Sequence, residues 1–283
     1  MNECMEGDKL NEYSKEMAII LPACDKYLDI VSEYMRYLRL NWDDCPFEII
    51  LVTENQEFND PRVSSYTTSK TTQWTGRVLE GLRHTDCQYV LVMIEDAFFS
   101  KKVDTQDVQD VLDFMKKHHV KYYRNPKNGY DKPKEVLFSD FPNACKIKKD
   151  AVYARSLGID IWDRDALIET FGDGTMSAWD VENFFLASSL NETPGYYEDW
   201  VSDKRNFLHV IETVSGGKWL RKAISDFKKI GTPVNLGNRD LNPISDSFRR
   251  RLHYLANRIV PKNRRAAVKR VLTKLGFKFA TKY

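Results

Sequence analysis

The sequence contains no long hydrophobic run, and this absence excludes several classes of protein. No stretch of about 18 consecutive apolar residues occurs, so no segment is predicted to cross a membrane as a helix. Residues 1–16 form a polar, acidic leader without the apolar core that a secretory signal peptide needs. We therefore expect a cytoplasmic protein.

Cysteine is sparse and follows no pattern. The five cysteines are Cys4, Cys24, Cys45, Cys87 and Cys145, and none of them forms a Cys-x-x-Cys pair. An odd number of scattered cysteines argues against a disulfide framework and against a zinc knuckle. We expect reduced thiols, and we expect Cys24 to be an incidental or buried thiol rather than a nucleophile.

The apolar content that is present is sufficient for a packed core. Of the 283 residues, 42% are hydrophobic and 30% are charged, which is typical of a globular chain and not of a disordered one. This length accommodates one large α/β domain with an appendage, or two small domains.

Charge is distributed unevenly along the chain, although the net charge is only +2. Residues 245–283 hold 12 Lys or Arg against one acid, whereas the preceding residues hold 31 against 40. Amphipathic helices are predicted over 248–259 and 266–277, separated by Pro261. Such a basic segment suits an anionic membrane surface, and a helical hairpin packed on the body is the structural alternative. Nucleic acid is not expected as a partner, because the segment lacks interleaved aromatics and a recognisable binding fold.

The body of the chain alternates predicted strands and helices, which indicates an α/β fold with a parallel sheet. Residues 119–150 are rich in Pro, Lys, Asp and Tyr and are predicted to pass over an active site. The predicted elements are strands over 17–21, 47–53 and 207–211 and within 151–161, a loop over 60–72, and helices over 27–41, 74–82, 103–118, 164–171 and 219–229.

The most hydrophobic segment, 89–94, ends in two adjacent carboxylates. Its six apolar residues predict a strand buried on both faces at the centre of the sheet. Ligands of open α/β sheets bind beyond the carboxyl ends of the strands, so Glu95 and Asp96 are candidates for holding a metal or a sugar. A solvated turn is the alternative interpretation, although Phe98 and Phe99 favour a chain that stays packed.

A second group of candidate residues lies near the start of a predicted helix at 177. Ser177 is a suitable N-cap, and Asp180 occupies the position of a capping-box acid. The helix dipole also favours Asp180 and Glu182 in the first turns, so both acids have a purely structural interpretation. The functional interpretation is that a carboxylate serves as a base for a sugar hydroxyl and Trp179 serves as an aromatic platform.

Further along, Gly216 and Gly217 precede Lys218. Paired glycines let backbone amides approach an oxyanion, and Lys218 would supply a charge for a phosphate. The Walker A spacing is missing, so a P-loop nucleotidase is not predicted.

Taken together, these motifs resemble those of bacterial surface-polysaccharide glycosyltransferases with the GT-A fold. The family has an apolar strand that ends in an acidic pair and an aromatic, and later a Trp-containing segment, a Trp-x-x-Glu-like pattern and a Gly-Lys-Trp. The corresponding segments here are 94–98, 159–167, 178–182 and 217–219, in the same order. The resemblance extends from 17 to about 230, and on it we expect a GT-A domain over 17–235 and a basic amphipathic helical extension over 236–283.

The resemblance implies a hexosyltransferase-type enzyme that transfers a sugar from a nucleotide donor to a hydroxyl of a growing capsule, O-antigen (lipopolysaccharide) or exopolysaccharide chain. The donor is expected to be a UDP-sugar. The acceptor would be a lipid-linked oligosaccharide or a polysaccharide, and residues 245–283 would hold the enzyme on the inner face of the cell membrane. The implied fold is a Rossmann-like, mixed and mainly parallel sheet flanked by helices.

The same resemblance implies roles for individual residues. Glu182, with Asp180 as the rival, would be the base in an inverting single displacement, and Trp179 would contact the acceptor. The donor-binding residues would be Pro22, Ala23, Cys24, Asp25, Thr53, Glu54, Arg77, Glu95, Asp96 and Lys218. Glu95 and Asp96 would bind a Mn²⁺ or Mg²⁺ ion. Glu95 replaces the first Asp of the family pattern, which weakens this metal site. Arg77 and Lys218 are then expected to stabilise the leaving group instead.

A hypothesis from a different class is a non-catalytic scaffold. Such a protein would bind a nucleotide sugar or a glycan and would be recruited to the membrane by its basic tail. The substitution E182Q separates the two hypotheses, because an enzyme would lose turnover while it still binds the donor.

Overall fold

The computed structural model describes residues 13–126, 136–151, 154–155, 157–190 and 192–244. These residues belong to two compact units, whose described parts are 13–213 and 214–244. The predicted domain over 17–235 therefore spans both units. Within the described ranges, no helix is long and apolar enough to cross a bilayer. Cys4 and the basic segment 245–283 lie outside the described residues.

The first unit contains ten strands and five α-helices among its described residues. The strands are β1 (Met17–Pro22), β2 (Glu48–Thr53), β3 (Val63–Thr67), β4 (Tyr89–Val92), β5 (Ala97–Phe99), β6 (Tyr122–Arg124), β7 (Ala144–Lys148), β8 (Asp160–Asp163), β9 (Tyr196–Asp203) and β10 (Val210–Glu212). The helices are α1 (Leu28–Asn41), α2 (Trp74–Leu82), α3 (Thr105–His118), α4 (Arg164–Phe171) and α5 (Ala178–Leu190), with a 3-10 turn at Asp25–Tyr27.

Eight of these strands form one mixed sheet in the order β3-β2-β1-β4-β8-β6-β9-β7. The first four run parallel to one another, and β6 runs parallel to β9. Strand β8 is antiparallel to both β4 and β6, and β7 is antiparallel to β9. Strands β5 and β10 pair separately as a small antiparallel ribbon. The predicted α/β fold with a mixed, mainly parallel sheet is confirmed.

The parallel half of the sheet follows from its hydrophobic runs. All six residues of β1 and all four of β4 are buried, because helices cover both faces of a parallel sheet. The strands predicted over 17–21 and 47–53 and the helices predicted over 27–41, 74–82 and 103–118 are present. Asp104 caps α3 by accepting the Gln106 amide at 3.0 Å, and Asp163 caps α4 by accepting the Ala166 amide at 3.1 Å.

Four strands of the main sheet differ from the sequence prediction. Strand β3 lies within the predicted loop 60–72, and β6 and β7 lie within the predicted excursion 119–150. Strands β3 and β7 are at the edges of the sheet, where a strand needs no continuous apolar run. Strand β6 lies inside the sheet, but its three residues are too few to show a periodic pattern. Strand β9 was also unpredicted, because its Tyr, Glu, Asp and Trp residues lack a clear alternation.

The central strand is shorter than predicted. It ends at Val92, and the Ala97 amide donates to the Ile94 carbonyl at 3.2 Å, which closes a turn around Glu95 and Asp96. The chain then enters β5, whose three residues are all buried. The expectation that Phe98 and Phe99 stay packed is confirmed, since both are fully buried.

The strand order predicts where a ligand crevice lies, at one edge of the sheet. From β1 the chain proceeds to β2 on one side, whereas β4 lies on the other side, so a topological switch point lies between β1 and β4. Crevices beyond the carboxyl ends of strands at such points are the usual ligand sites of open α/β sheets. Because β8 is antiparallel to β4, its first residue, Asp160, lies opposite Val92 at this same carboxyl edge.

The second unit is built around Trp219. Strands β11 (Val214–Ser215) and β12 (Lys218–Trp219) form a hairpin that precedes α6 (Arg221–Lys229). Trp219 is buried, and its indole Nε1 donates to the Leu236 carbonyl at 2.8 Å. Gly216 and Gly217 form the hairpin turn with φ values of +58° and +77°, conformations that favour glycine. The paired glycines thus have a structural reason to be there.

Candidate active site at the carboxyl edge of the sheet

Asp25 and Glu54 join the loops that follow β1 and β2. The Asp25 carboxylate accepts backbone N–H groups from Glu54 at 3.0 Å, Asn55 at 3.1 Å and Gln56 at 3.4 Å. In return, the Asp25 amide donates to Glu54 Oε2 at 3.1 Å. These reciprocal bonds fix the two loops against each other. Asp25 therefore shapes the edge of the crevice, since its oxygens already serve backbone donors.

Pro22, Ala23 and Thr53 support the same two loops. Pro22 is the last residue of β1, and the Ala23 amide donates to the Val52 carbonyl at 2.9 Å. Thr53 is fully buried, and its hydroxyl donates to the Gln56 carbonyl at 2.6 Å. The side chain of Thr53 is thus engaged in holding the loop after β2.

Arg77 brings a positive charge beneath these loops from α2. Its side chain is only 6% exposed; Nη1 donates to the Thr72 carbonyl at 2.6 Å, and Nη2 donates to Cys24 Sγ at 3.3 Å. Glu54 Oε1 is 4.0 Å from Nη1, and the buried Nε has no hydrogen-bond partner. The structure therefore brings four predicted donor residues, Cys24, Asp25, Glu54 and Arg77, into direct contact.

Cys24 is a half-buried thiol. Burial raises its pKa, and this effect outweighs the opposing influence of the neighbouring Arg77 guanidinium. A raised pKa reduces the thiolate fraction at neutral pH, and the thiolate is the reactive form. The arrangement gives Cys24 the properties of a packing residue at the crevice.

Glu95 and Asp96 occupy the turn beyond β4, on the other side of the switch point. Both are partly exposed, and the Asp96 carbonyl accepts both the amide and the hydroxyl of Thr213 at 2.7 Å. The described residues contain no group of three or more His, Cys, Asp or Glu side chains arranged to hold a metal ion. This donor set does not make a protein-only metal site.

Asp180 forms a capping box at the start of α5. The Ser177 hydroxyl donates to Asp180 Oδ2 at 2.6 Å and accepts the Asp180 amide at 3.2 Å, while the Ser177 amide donates to Oδ2 at 3.1 Å. Hydrogen bonding from Ser177 lowers the pKa of Asp180. A carboxylate stabilised in this way is a weaker base, and the contacts agree with the structural interpretation of Asp180.

Glu182 lies on α5 and is partly exposed. Its Oε1 accepts the Leu157 backbone N–H at 2.6 Å, which ties the segment before β8 to the helix. This contact fixes the direction of the carboxylate. Nearby on α5, Trp179 is 71% exposed and Phe184 is 41% exposed.

Helix α2 connects the predicted donor-binding residues to the start of α5. The Thr75 amide and hydroxyl both contact the Met176 carbonyl, at 3.1 and 3.0 Å, immediately before α5. Gly76 and Gly174 allow this approach: a Cβ on Gly76 would lie 2.9 Å from the Gly174 carbonyl oxygen. Arg77 follows directly in α2. Thr75 and Gly76 were not predicted as site residues, because neither belongs to a recognisable motif.

Asp160 is a further residue that sequence analysis missed. It is 1% exposed, and it accepts the Tyr122 hydroxyl at 2.8 Å and the Asn125 amide at 3.1 Å. Gly158 packs so closely that a Cβ there would lie 2.8 Å from Asp160 Oδ2. A glycine two residues before an acid at the start of a strand was the one available signal, and it is a weak one.

Lys218 belongs to the second unit. It is exposed and lies on β12 opposite Ser215. Its predicted contact with the donor stays a prediction.

No protein-family model matches the chain, and no curated protein matches it. Similar solved structures are those of S. aureus TarS. The crystal structure of TarS 1-349 aligns with a TM-score of 0.41 and 13% identity over 66% of this chain and 60% of that chain. The complex of TarS 1-349 with UDP gives 0.42 and 13% over the same shares, and a further TarS structure gives 0.42 and 16% over 76% of this chain and 38% of that chain. The chain thus covers less than two thirds of these TarS structures.

Proposed function

We propose that the chain is a glycosyltransferase of the GT-A type that transfers a sugar from a nucleotide donor, with UDP as its nucleotide, to a hydroxyl of a bacterial surface polysaccharide. One observation carries this proposal. The loops after β1 and β2 are joined over the buried Arg77, beside the switch point, and Glu95 and Asp96 lie beyond the neighbouring β4. A crevice of this type accommodates a nucleotide diphosphate between a cation and hydrogen-bonding loops.

In the proposed reaction, Glu182 accepts the proton of the acceptor hydroxyl. The oxygen attacks the anomeric carbon, and the bond from that carbon to the diphosphate breaks with its electron pair moving to the diphosphate, so the configuration inverts. The hydrogen bond from Leu157 supports this role because it directs the Glu182 carboxylate. Arg77 would stabilise the charge on the departing diphosphate. Trp179 offers its ring to the apolar face of the acceptor sugar.

The leading test combines donor binding with substitution of Glu182. Calorimetry with UDP-, GDP-, CMP- and dTDP-sugars should detect one preferred nucleotide class. The difference in donor affinity between Mn²⁺ and EDTA shows whether an ion bound to the donor phosphates contributes to binding. E182Q should keep this affinity, because its amide oxygen still accepts the Leu157 N–H. Turnover should fall about 100- to 10,000-fold, the usual effect of removing a general base.

D180N is the matched control, since Asp180 lies on the same helix but is engaged in the capping box. Its turnover should stay close to that of the unaltered chain. The reverse pattern, with D180N inactive and E182Q active, would transfer the role of base to Asp180.

A non-catalytic scaffold is the second candidate, and the structural engagement of both acids favours it. Asp180 is bound to Ser177, and Glu182 is bound to Leu157. A scaffold would bind a nucleotide sugar without turnover in any variant. Recruitment to the inner face of the membrane through 245–283 is proposed for either function.

A further inference from the structure

Arg155 lies on an aromatic surface beside α5. Its guanidinium carbon is 4.2 Å from the ring centre of Trp200, 5.0 Å from that of Phe185 and 5.8 Å from that of Phe184. Tyr197 extends this surface, because its ring stacks on Trp200 with centroids 3.9 Å apart. Stacking on aromatic faces holds a guanidinium plane in a defined orientation.

This cation has no counter-ion in the part of the chain that the structure describes. Arg155 forms neither an ion pair nor a hydrogen bond there, although burial lowers its pKa. Glu192 acts on Arg155 electrostatically, but its carboxylate accepts the Tyr197 hydroxyl at 3.1 Å and makes no ion pair with the guanidinium. Arginine remains charged in proteins, and partly desolvated charges are normally paired. Among the described residues, therefore, no carboxylate competes with a ligand for this guanidinium.

Arg155 is connected to the proposed base, Glu182, through a hydrogen bond two residues further along the chain. The segment that carries Arg155 is tied to α5 two residues later, where the Leu157 amide donates to Glu182. Phe185, which packs against the guanidinium, lies three residues after Glu182 on α5 and so on the same face of the helix. An anion on Arg155 would thus lie next to the residue that activates the acceptor.

We propose that Arg155, on the surface formed by Phe184, Phe185, Tyr197 and Trp200, binds an oxyanion of the acceptor, a carboxylate or a phosphate group. This proposal rests on the proposed transferase function, because it assigns the anion to the acceptor. The planar guanidinium offers paired N–H donors that match two oxygens of either group, and Lys cannot reproduce this geometry. The acceptor is accordingly an acidic glycan or a phosphate-bearing glycan.

The test is a ligand-observed NMR titration of the full chain, without donor, using glucuronate, glycerol phosphate and neutral glucose. Both anions should bind at millimolar concentrations, and glucose should bind at least about tenfold more weakly. R155Q should weaken the anions about tenfold or more, and R155K should restore only part of the affinity. Stronger binding of glycerol phosphate supports a phosphate-bearing acceptor, whereas stronger binding of glucuronate supports an acidic sugar.

R83Q is the matched control, because Arg83 is an exposed arginine paired with Glu80 at 2.7 Å. It removes the same charge and should leave anion binding unchanged. Thermal unfolding of each variant shows whether it folds. If R155Q does not fold, the anion affinity of R155K is compared with that of the unaltered chain to test the proposal. Equal anion affinity in the unaltered and Arg155-substituted chains, or no preference for anions over glucose, overturns the proposal.

Donor binding measured on the same samples separates this proposal from the transferase. A chain that binds a nucleotide sugar but shows no Arg155-dependent anion binding retains the transferase and overturns the oxyanion site. A chain that binds anions through Arg155 but binds no nucleotide sugar supports the oxyanion site and contradicts the transferase.

Discussion

Charged side chains at the carboxyl edge of the sheet mainly form hydrogen bonds and ion pairs with one another and with the backbone. Asp25 accepts three backbone amides, and Arg77 donates to a carbonyl and to a thiol while Glu54 stays 4.0 Å away. Among the described residues, the buried guanidinium has one long ion pair, at 4.0 Å to Glu54. In the proposed function, the remaining positive potential attracts the donor diphosphate.

At the scale of single residues, Cys24 provides a probe of the crevice. Burial raises its pKa, so at pH 8 we expect iodoacetamide to alkylate it more slowly than it alkylates glutathione. The rate should keep rising at pH values where an ordinary thiol has reached its plateau. A saturating nucleotide sugar should slow the reaction further, because Cys24 contacts Arg77. Mass spectrometry of the Cys24 peptide measures both effects.

Cys45, Cys87 and Cys145 are buried and serve as internal controls that should react last. The chain unfolded in denaturant should show ordinary thiol rates at all positions. Alkylation of native Cys24 faster than glutathione would mean that Arg77 activates the thiol, contrary to the pKa argument.

At the scale of elements, the contact between α2 and the start of α5 depends on two glycines. Gly174 has a φ of +75°, and a Cβ there would lie 3.0 Å from the Gly76 Cα. Two backbones approach closely only where side chains are absent. This contact fixes the spacing between Arg77 on α2 and Glu182 on α5.

G76A should destabilise the chain although alanine favours helices more than glycine does. The new Cβ would lie 2.8 Å from the Thr72 methyl and 2.9 Å from the Gly174 carbonyl oxygen, and the latter is backbone. Overpacking of this type costs about 1–3 kcal/mol. Chemical denaturation measures the loss of stability, and turnover should fall as well, because α5 is displaced from α2.

G81A is the comparison on the same helix. Its Cβ would meet Ile20 methyl groups at 2.8 and 2.9 Å, which are side-chain atoms and can shift. We expect a smaller loss of stability than for G76A and little effect on turnover. A larger loss for G81A would show that the contact at Gly174 adapts easily.

At the scale of the whole chain, charge separates the body from the C-terminal segment. Residues 245–283 carry 12 of the 43 Lys and Arg residues but one of the 41 acids. An anionic surface attracts such a segment, and each basic residue near a membrane contributes about 1 kcal/mol.

The triple substitution of Arg249, Arg250 and Arg251 by Gln should therefore weaken binding to phosphatidylserine vesicles about 100-fold. Vesicle co-sedimentation at low and high salt measures the change, and added salt should weaken the unaltered chain in the same direction. Substitution of Lys70, Lys101 and Lys102 by Gln removes equal charge from the exposed surface of the body. Equal losses for the two triple variants would contradict a membrane role specific to 245–283.

The elements predicted correctly are those whose signal lies in adjacent residues. The apolar runs of β1, β2 and β4, the spacing of Val108, Val111, Leu112 and Met115 on α3, and the Ser177–Asp180 cap are local patterns with a direct physical reason. Strands β3 and β7 were missed because edge strands need no such pattern, and Asp160 was missed because its partners are distant in sequence.

The sequence by itself determined the α/β class, the buried central strand that leads to Glu95 and Asp96, the capped helix that carries Glu182, and the separation of charge between body and tail. Tertiary structure decided which of these residues meet. Asp25 joins Glu54, Cys24 joins Arg77, and Arg155 lies on Trp200 only because strands and helices far apart in sequence pack together. Such contacts depend on strand order and on close backbone approach, and neither quantity is encoded in any short stretch of residues.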